Sequence, residues 1–475
     1  MSHFNPVAIR SRRQMLQEVA CGFGGLALAS LMNDDASGSR VSAKLTPIAP
    51  RAKRIIFLFM AGGVSQVDSF DYKPVLEKHD GAMRQFRDAR SIAKTGIGVE
   101  ARVMKALWKF RQRGQSGKWT SDLFPEMNTC VDKLCFLHGL HTEGVAHGPA
   151  TLFLHTGSTN LLRPSMGAWV NYGLGSENEN LPGFVVLTPS LGNGGPRNYG
   201  NAFLPAAYQG TTIGRAGVPA KEAQIRHLSN DRRDVPAQQA QFDLVQALNR
   251  QQLDRHASDT NLEAVIESYE MAFRMQRHAP SAIDLADESP QTHTMYGIGQ
   301  KETDDYGRQC LMARRLAESG VRYIQVNYTD NSNNPPWDQH SDMPKHAQHA
   351  RAVDKPIAGL LRDLEQRGLL EDTLVWWGGE FGRNPFAQNN GTGRDHNPDG
   401  FTIWLAGAGV KPGFSYGATD EFGHIAIDQK VHMHDLHATI LHLLGLDHLK
   451  LTYPYAGRNF RLTDVAGNVV QEILA

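Results

Sequence analysis

The apolar positions of this chain fall in short unbroken runs rather than in strict alternation. "RIIFLFM", Arg54 to Met60, is the first such run and is stopped by Gly62-Gly63. A strand apolar on both sides suits a parallel sheet covered on both faces. "DKLCFLHGL" and "LPGFVVL" predict two more strands of this kind. The second half alternates helices with strands. "DDYGRQCLMARRLAESG" has helical spacing and stops at Gly320, and the strand "VRYIQVNY" follows. "AVDKPIAGLLRDLEQRG" sets Ile357, Leu360, Leu361 and Leu364 on one face and stops at Gly368. The strands "DTLVWWGGE" and "FTIWLAGAGV" and a closing helix, "HDLHATILHLLGL", complete the order. The alternation predicts an α/β fold with a mostly parallel central sheet and helices on both faces. Between about 190 and 300 the pattern is helix- and loop-rich, which predicts an insertion or cap over the sheet.

Composition changes this picture little. The chain has 475 residues, 41% hydrophobic and 21% charged, enough for a large core. Lys+Arg and Asp+Glu balance at 49 each, so no basic surplus points to nucleic acid. Cys130, Cys135 and Cys310 read as buried thiols rather than as a disulfide framework, although Cys130 and Cys135 stand close enough in sequence to bridge. Near the N-terminus, Arg10, Arg12 and Arg13 precede an apolar run from Val19 to Met32. At about fourteen residues that run is short for a membrane span. A basic start followed by a Gly/Ala/Leu stretch is the layout of a secretory signal, and Ser11-Arg12-Arg13-Gln14-Met15-Leu16 resembles the twin-arginine export signal. Residues 1–33 are therefore expected to be a signal segment and 34–50 a tether, with one α/β domain over 51–475. The expected location is the periplasm or cell envelope, with the twin-arginine export machinery as a partner and no stable membrane span in the mature chain.

The 20 histidines are the compositional outlier, and they cluster. Ligands of a parallel sheet gather beyond the carboxyl ends of its strands, and polar motifs fall at those ends here. After "IIFLFM" come Ser65 and Asp68; after "RYIQVNY" come Asp338 and His340; after "TLVWW" come Glu380 and Arg383. "GRDHNPDGF" brings Asp395 and His396 to the start of a strand. "AHGPATLFLHTG", after "LCFLHGLH", brings His147 and His155. His147 at the mouth of a strand reads as a ligand or base, and His155, amid apolar neighbours, as a hydrogen-bonded interior residue. His138 reads as structural, and His432 or His434 can reach a site at the start of the last helix. Carboxylates and imidazoles together suit a divalent metal, without choosing among Zn, Mn, Fe, Ca and Mg. The ligand set expected is Asp68, Asp338, His340, Glu380 and His396, with Ser65, His147 and Arg383 as the catalytic candidates. Plainer readings compete. Asp338 and His340 can cap a loop, Ser65 and Asp68 can form a turn or helix cap, and Glu380 and Arg383 can pair or brace a loop.

These segments resemble the alkaline phosphatase superfamily, its sulfatase-like branch in particular. "CVDKLCFLHGLHTEGVAHGPATLFLHTG", "LVWWGGEFGRNP", "WLAGAGVKPG" and "HDLHATILHLLGLD" are similar in order and kind to sulfatase segments. From Arg54 onward the chain also resembles a twin-arginine-exported bacterial family of unknown function that shares "GG-x-S-Q-x-D-x-F-D", "W-D-x-H" and "GGEFGR". The resemblance implies an alkaline phosphatase-like fold. It does not transfer the sulfatase site residue by residue. His147 stands where the nucleophile would, Gly62 and Gly63 replace the paired aspartates, and Phe381 replaces a histidine. Only Glu380 carries over as a ligand, and the missing cysteine excludes a formylglycine mechanism.

Two functions follow as expectations. One is an exported metal-dependent hydrolase of a sulfate or phosphate ester, working by metal-activated water or by serine, with Arg383 holding the anionic group of a small molecule or glycan ester. The other is a non-catalytic binding or scaffold protein of the envelope that keeps the fold. No nucleotide cofactor and no nucleic-acid partner are expected.

Overall fold

A computed structural model describes residues 48–223, 235–255 and 260–475. The signal segment and all but the last residues of the tether lie outside the described residues. Eight strands form the path of the central sheet: β1 (Arg54–Met60), β2 (Leu134–His141), β3 (Phe184–Leu187), β4 (Thr211–Ile213), β5 (Tyr323–Tyr328), β6 (Thr373–Gly378), β7 (Phe401–Ala406) and β8 (Phe414–Tyr416). Their spatial order is β8-β2-β7-β6-β1-β5-β3-β4, and a short ninth strand, β9 (Val431–His432), pairs with β2 off this path. Every ladder of this sheet is parallel except the two made by β7, which runs against β6 and β2.

The unbroken apolar runs are explained by what covers them. Ile56, Leu58 and Met60 of β1 join one core and Ile55, Phe57 and Phe59 join another, so both faces of the strand are dry. The labelled helices are α1 (His147–Thr156), α2 (Met166–Leu174), α3 (Asp304–Glu318), α4 (His346–Gln366) and α5 (Met433–Leu443). α3 and α4 cover the first face through Leu311, Leu316, Ile357, Leu360, Leu361 and Leu364. α1, α2 and α5 cover the second through Phe153, Trp169, Ile440 and Leu441. The glycine stops hold: Gly320 and Gly368, just beyond α3 and α4, take φ of +87° and +69°.

The segment from 190 to 300 carries two long helices, Val235–Arg255 and Thr260–Ile283, joined by a stack of Phe242 on Phe273. The end of the second sends Met275, Ala279 and Ala282 into the core beneath α3. Short hairpins that the apolar pattern did not signal, Met83–Phe86 with Val99–Arg102 and Phe110–Arg113 with Lys118–Ser121, lie between β1 and β2 in the chain. Cys130, Cys135 and Cys310 are buried and free. Among the described residues no helix is long and apolar enough to cross a membrane.

Candidate metal centre

Because β1, β2, β5 and β6 run one way and β7 the other, four carboxyl ends and one amino end share a rim of the sheet. The chain leaving β2 reaches His147 as the first residue of α1. The chain leaving β5 reaches Asp338 and His340, and the chain leaving β6 reaches Glu380. His396 enters ahead of β7, in a two-residue antiparallel ladder opposite Arg383.

His147, Asp338, His340 and His396 meet there, with one ligand atom from each lying within 4.8 Å of all the others. Asp338 is the hub. His340 Nε2 lies 2.8 Å and His396 Nε2 3.4 Å from its Oδ1, and His147 Nε2 lies 3.1 Å from its Oδ2. In all three rings the other nitrogen, Nδ1, faces an acceptor. For His147 this is Glu380 Oε1 at 2.7 Å, for His396 it is the Val145 carbonyl at 2.9 Å, and for His340 it is Gln388 Oε1. An Nδ1–H donated outward leaves each Nε2 lone pair directed inward, the arrangement that outer acceptors impose on metal-binding imidazoles.

The group passes a further test of fit. His147 Nε2 and Asp338 Oδ2 are buried, yet neither has an aligned hydrogen-bond partner, despite their closeness. Buried polar atoms left in that state call for a partner, and a cation between three imidazoles and a carboxylate would supply it. The donor set, three nitrogens and one oxygen, suits Zn²⁺, Fe²⁺ or Mn²⁺ better than Mg²⁺ or Ca²⁺.

The local charges agree with this geometry. Burial works to raise the pKa of Asp338, but the surrounding imidazoles of His147, His340 and His396 and the charge of Arg383 outweigh it and hold the carboxyl far below the usual range. Burial opposes a charge on His147, yet the closeness of the Asp338 and Glu380 carboxylates prevails and raises its proton affinity. His396 is pushed down to about 4, chiefly by burial.

Gly62 lets two loops meet. Its φ is +113°, and a Cβ there would lie 2.6 Å from the backbone nitrogen of Asp338, so a side chain would drive the loops after β1 and β5 apart. The Gly62 N–H donates to both oxygens of Glu380, at 3.0 and 3.1 Å. Glu380 thus stands behind His147 instead of joining the converged group, and it orients that ring.

Other expected site residues stand elsewhere. Arg383 is fully buried, and its donors go to the carbonyls of Gly62, Gly63 and Arg394 and, at 2.7 Å, to Asp338 Oδ1. It braces Asp338 from within the protein and is not one of the side chains whose ligand atoms converge. Ser65 Oγ donates to Asp68 Oδ2 at 2.6 Å, and Arg394 Nε donates to the same carboxylate at 2.8 Å. A serine and an aspartate tied into a fully buried ion pair form a structural knot, so Asp68 is not brought to the converged group and Ser65 is not free as a nucleophile. His155 Nδ1 donates to the Thr151 carbonyl and its Nε2 accepts from the Gln325 amide inside the second core, and burial lowers its pKa to about 4. His138 contacts Thr402 Oγ1, and His432 caps α5. Gln388 and the Val145 carbonyl contact the rings of His340 and His396 without a sequence signal. Arg394 had one, because a buried Asp68 demands a cation.

The signature of a family described as "Protein of unknown function (DUF1501)" matches residues 52–474. No curated protein matches the chain in sequence. Among solved structures it is similar to the lipoteichoic acid synthase LtaP from Listeria monocytogenes, at 9% identity over 91% of this chain and 80% of that one, with a TM-score of 0.38. It is similar to the PsFucS1 sulfatase from Pseudoalteromonas sp., at 13% identity over 91% and 72% with a TM-score of 0.35. It is also similar to the phosphonate monoester hydrolase SpPMH from Silicibacter pomeroyi, at 10% identity over 89% and 76% with a TM-score of 0.36. These likenesses are distant, and none assigns a role to a residue of this chain.

Proposed function

The chain belongs to the DUF1501 family of proteins of unknown function, and we propose that it is an exported, metal-dependent hydrolase of a sulfate or phosphate ester. One observation carries the reading: three imidazoles, each fixed through Nδ1, turn Nε2 toward the single carboxylate Asp338 at the ligand-binding rim of a parallel sheet. An ion between the rings and Asp338 would give His147 Nε2 and Asp338 Oδ2 the partner that each of these buried atoms lacks. A divalent ion bound there supplies Lewis acidity toward an ester oxygen and lowers the pKa of water.

The residues of the chain have separate tasks. Glu380 holds the His147 ring and its tautomer, Arg383 fixes the Asp338 carboxylate, and Gln388 and Val145 fix His340 and His396. His340, about a quarter exposed where the other three are nearly covered, marks the side open to a substrate.

A non-catalytic envelope scaffold is the competing reading. It is favoured by the engagement of Arg383 and Ser65 within the protein. Metal content of the full chain, followed by turnover of 4-nitrophenyl sulfate and 4-nitrophenyl phosphate, separates the two. About one transition-metal ion per chain, with turnover lost in Asp338→Ala and His340→Ala, is the expected result. A metal-free protein whose stability ignores added Zn²⁺, Mn²⁺ and Fe²⁺ would overturn the hydrolase.

A further inference from the structure

The loop that brings Gln388 to His340 also borders open space. Residues 82–105, the first hairpin with the helix Ala89–Thr95 between its strands, dock on that loop. Phe86 packs on Phe386, Val103 bridges to Phe386, and the Ala387 N–H donates to the Arg102 carbonyl. Between the helix and the loop lies an open pocket of about 410 Å³, the size of a small-molecule site. Gln388 and Asp395 line it. Both oppose His340 Nδ1, Gln388 through Oε1 and Asp395 through Oδ1 at 3.5 Å, whereas His340 Nε2 faces Asp338. One imidazole therefore separates the pocket from the converged group.

Charge distinguishes this wall. The whole chain balances 49 basic against 49 acidic residues, but residues 82–105 hold six basic and two acidic. Arg90 and Lys94 both line the pocket from the helix, four residues apart and so on one face, where two like charges repel unless an anion meets them. Arg90 spends only Nη1, on Asp395 Oδ1 at 2.8 Å, and about a third of its side chain is exposed. Lys94 is exposed and unpaired among the described residues.

The three carboxylates of the lining leave these donors open. Asp88 is buried and accepts from the Ser91 N–H and Asn384 Nδ2. Asp395 accepts from Arg90 and from the His396 N–H. Glu100 is uncommitted, but it belongs to the strand Val99–Arg102 and pairs with neither cation. An ammonium and the free edge of a guanidinium on one accessible face suit an oxyanion.

We propose that this pocket holds a second acidic group, a sulfate, phosphate or carboxylate, of the ligand whose ester meets the metal group, with Arg90 and Lys94 as its cations. The substrate class is then a small polyanionic ester. Its identity as an ester rests on the hydrolase reading, whereas anion binding in the pocket does not.

Calorimetry on the metal-free full chain at low salt tests it. The probes are sucrose octasulfate and fructose 1,6-bisphosphate, with sucrose as the uncharged control. At least one polyanion binds where sucrose does not. Its Kd rises about tenfold in Arg90→Gln and about threefold to tenfold in Lys94→Ala, the effect of losing one charge-assisted contact. It falls about twofold in Glu100→Gln, which removes a like charge. Lys430→Ala, at an exposed lysine outside the pocket, leaves it unchanged. Lys94 and Glu100 are exposed, so their variants answer even if Arg90→Gln disturbs the fold. Binding of neither polyanion, or binding that Lys94→Ala weakens no more than Lys430→Ala does, overturns the pocket. Polyanion binding by a chain that takes up no metal and turns over no ester would sink the hydrolase and keep the pocket. Turnover of 4-nitrophenyl esters by a chain that binds neither polyanion would do the reverse.

Discussion

His147 stands between two carboxylates, its Nδ1 2.7 Å from Glu380 Oε1 and its Nε2 3.1 Å from Asp338 Oδ2. The first contact fixes the ring and the second marks where an ion would sit, so the two carboxylates differ in kind. Glu380→Gln should therefore weaken metal binding without abolishing it. An amide offers one acceptor oxygen where the Gly62 N–H and His147 Nδ1 converge as two donors. The expected loss is about 10- to 100-fold in Zn²⁺ affinity, read by competition with a chromophoric chelator. His147→Ala and Asp338→Ala should lose more. Equal affinity in wild type and Glu380→Gln would show that Glu380 has no part in the centre.

Arg383 lends itself to a sharper test, because its two possible roles move different measurements. As a brace it neutralises Asp338 and ties the loops after β1 and before β7 together through three carbonyls. Arg383→Met should leave Asp338 as an uncompensated buried charge and cost about 3–5 kcal/mol in urea unfolding of the metal-free protein. Arg383→Lys should recover little, since a single ammonium cannot reproduce the fork. A variant of native stability with only a raised KM would instead mark Arg383 as a substrate cation.

Ser65→Ala should be mild. The hydroxyl is fully buried and donates to Asp68, whose carboxylate keeps Arg394 and the Leu107 N–H. Loss of that one bond is worth about 0.5–1.5 kcal/mol. Metal content should be unchanged, and turnover of any ester the wild type hydrolyses should stay within about tenfold, near 1.4 kcal/mol of barrier. A loss as deep as that of Asp338→Ala would restore serine as the nucleophile.

The frame of the fold was legible because a parallel strand covered on both faces writes itself as an unbroken apolar run, and β1 is such a run. The rim was legible for the same reason, since strand ends locate themselves. Asp338, His340, His396 and His147 could be named from position and residue type. What the sequence could not separate was a ligand from the residue behind it. Glu380 and Asp338 are both carboxylates beyond strand ends, and only the approach permitted by Gly62 decides which of them is turned toward the imidazoles. The partners of Arg383 and Asp68 were hidden for a related reason. Ion-pair partners are chosen by loop packing, and Arg394 reaches Asp68 from 326 positions away in the chain. Edge elements such as β4, β8 and β9 are too short to leave a periodic signal.

Acid should loosen this protein through histidines remote from the metal group, and His437 is the clearest. It is fully buried on α5, with Nε2 2.8 Å from the Leu154 carbonyl. Burial, reinforced by the neighbouring His434, lowers its pKa from 6.5 to about 3. Above pH 6.5 the ring is neutral whether the chain is folded or not, and its contribution to stability is complete. As the pH falls below that value the unfolded chain takes up a proton that the native state refuses, so stability is lost progressively toward pH 3. One such group contributes a slope of at most about 1.4 kcal/mol per pH unit. His437→Gln retains a donor for the Leu154 carbonyl but does not titrate. Its unfolding free energy, measured in urea between about pH 7.5 and pH 4.5, should therefore fall less steeply than that of the wild type, with the two curves converging as the pH drops. Parallel curves over the whole range would mean that His437 is protonated equally in both states and that its burial has no bearing on acid sensitivity.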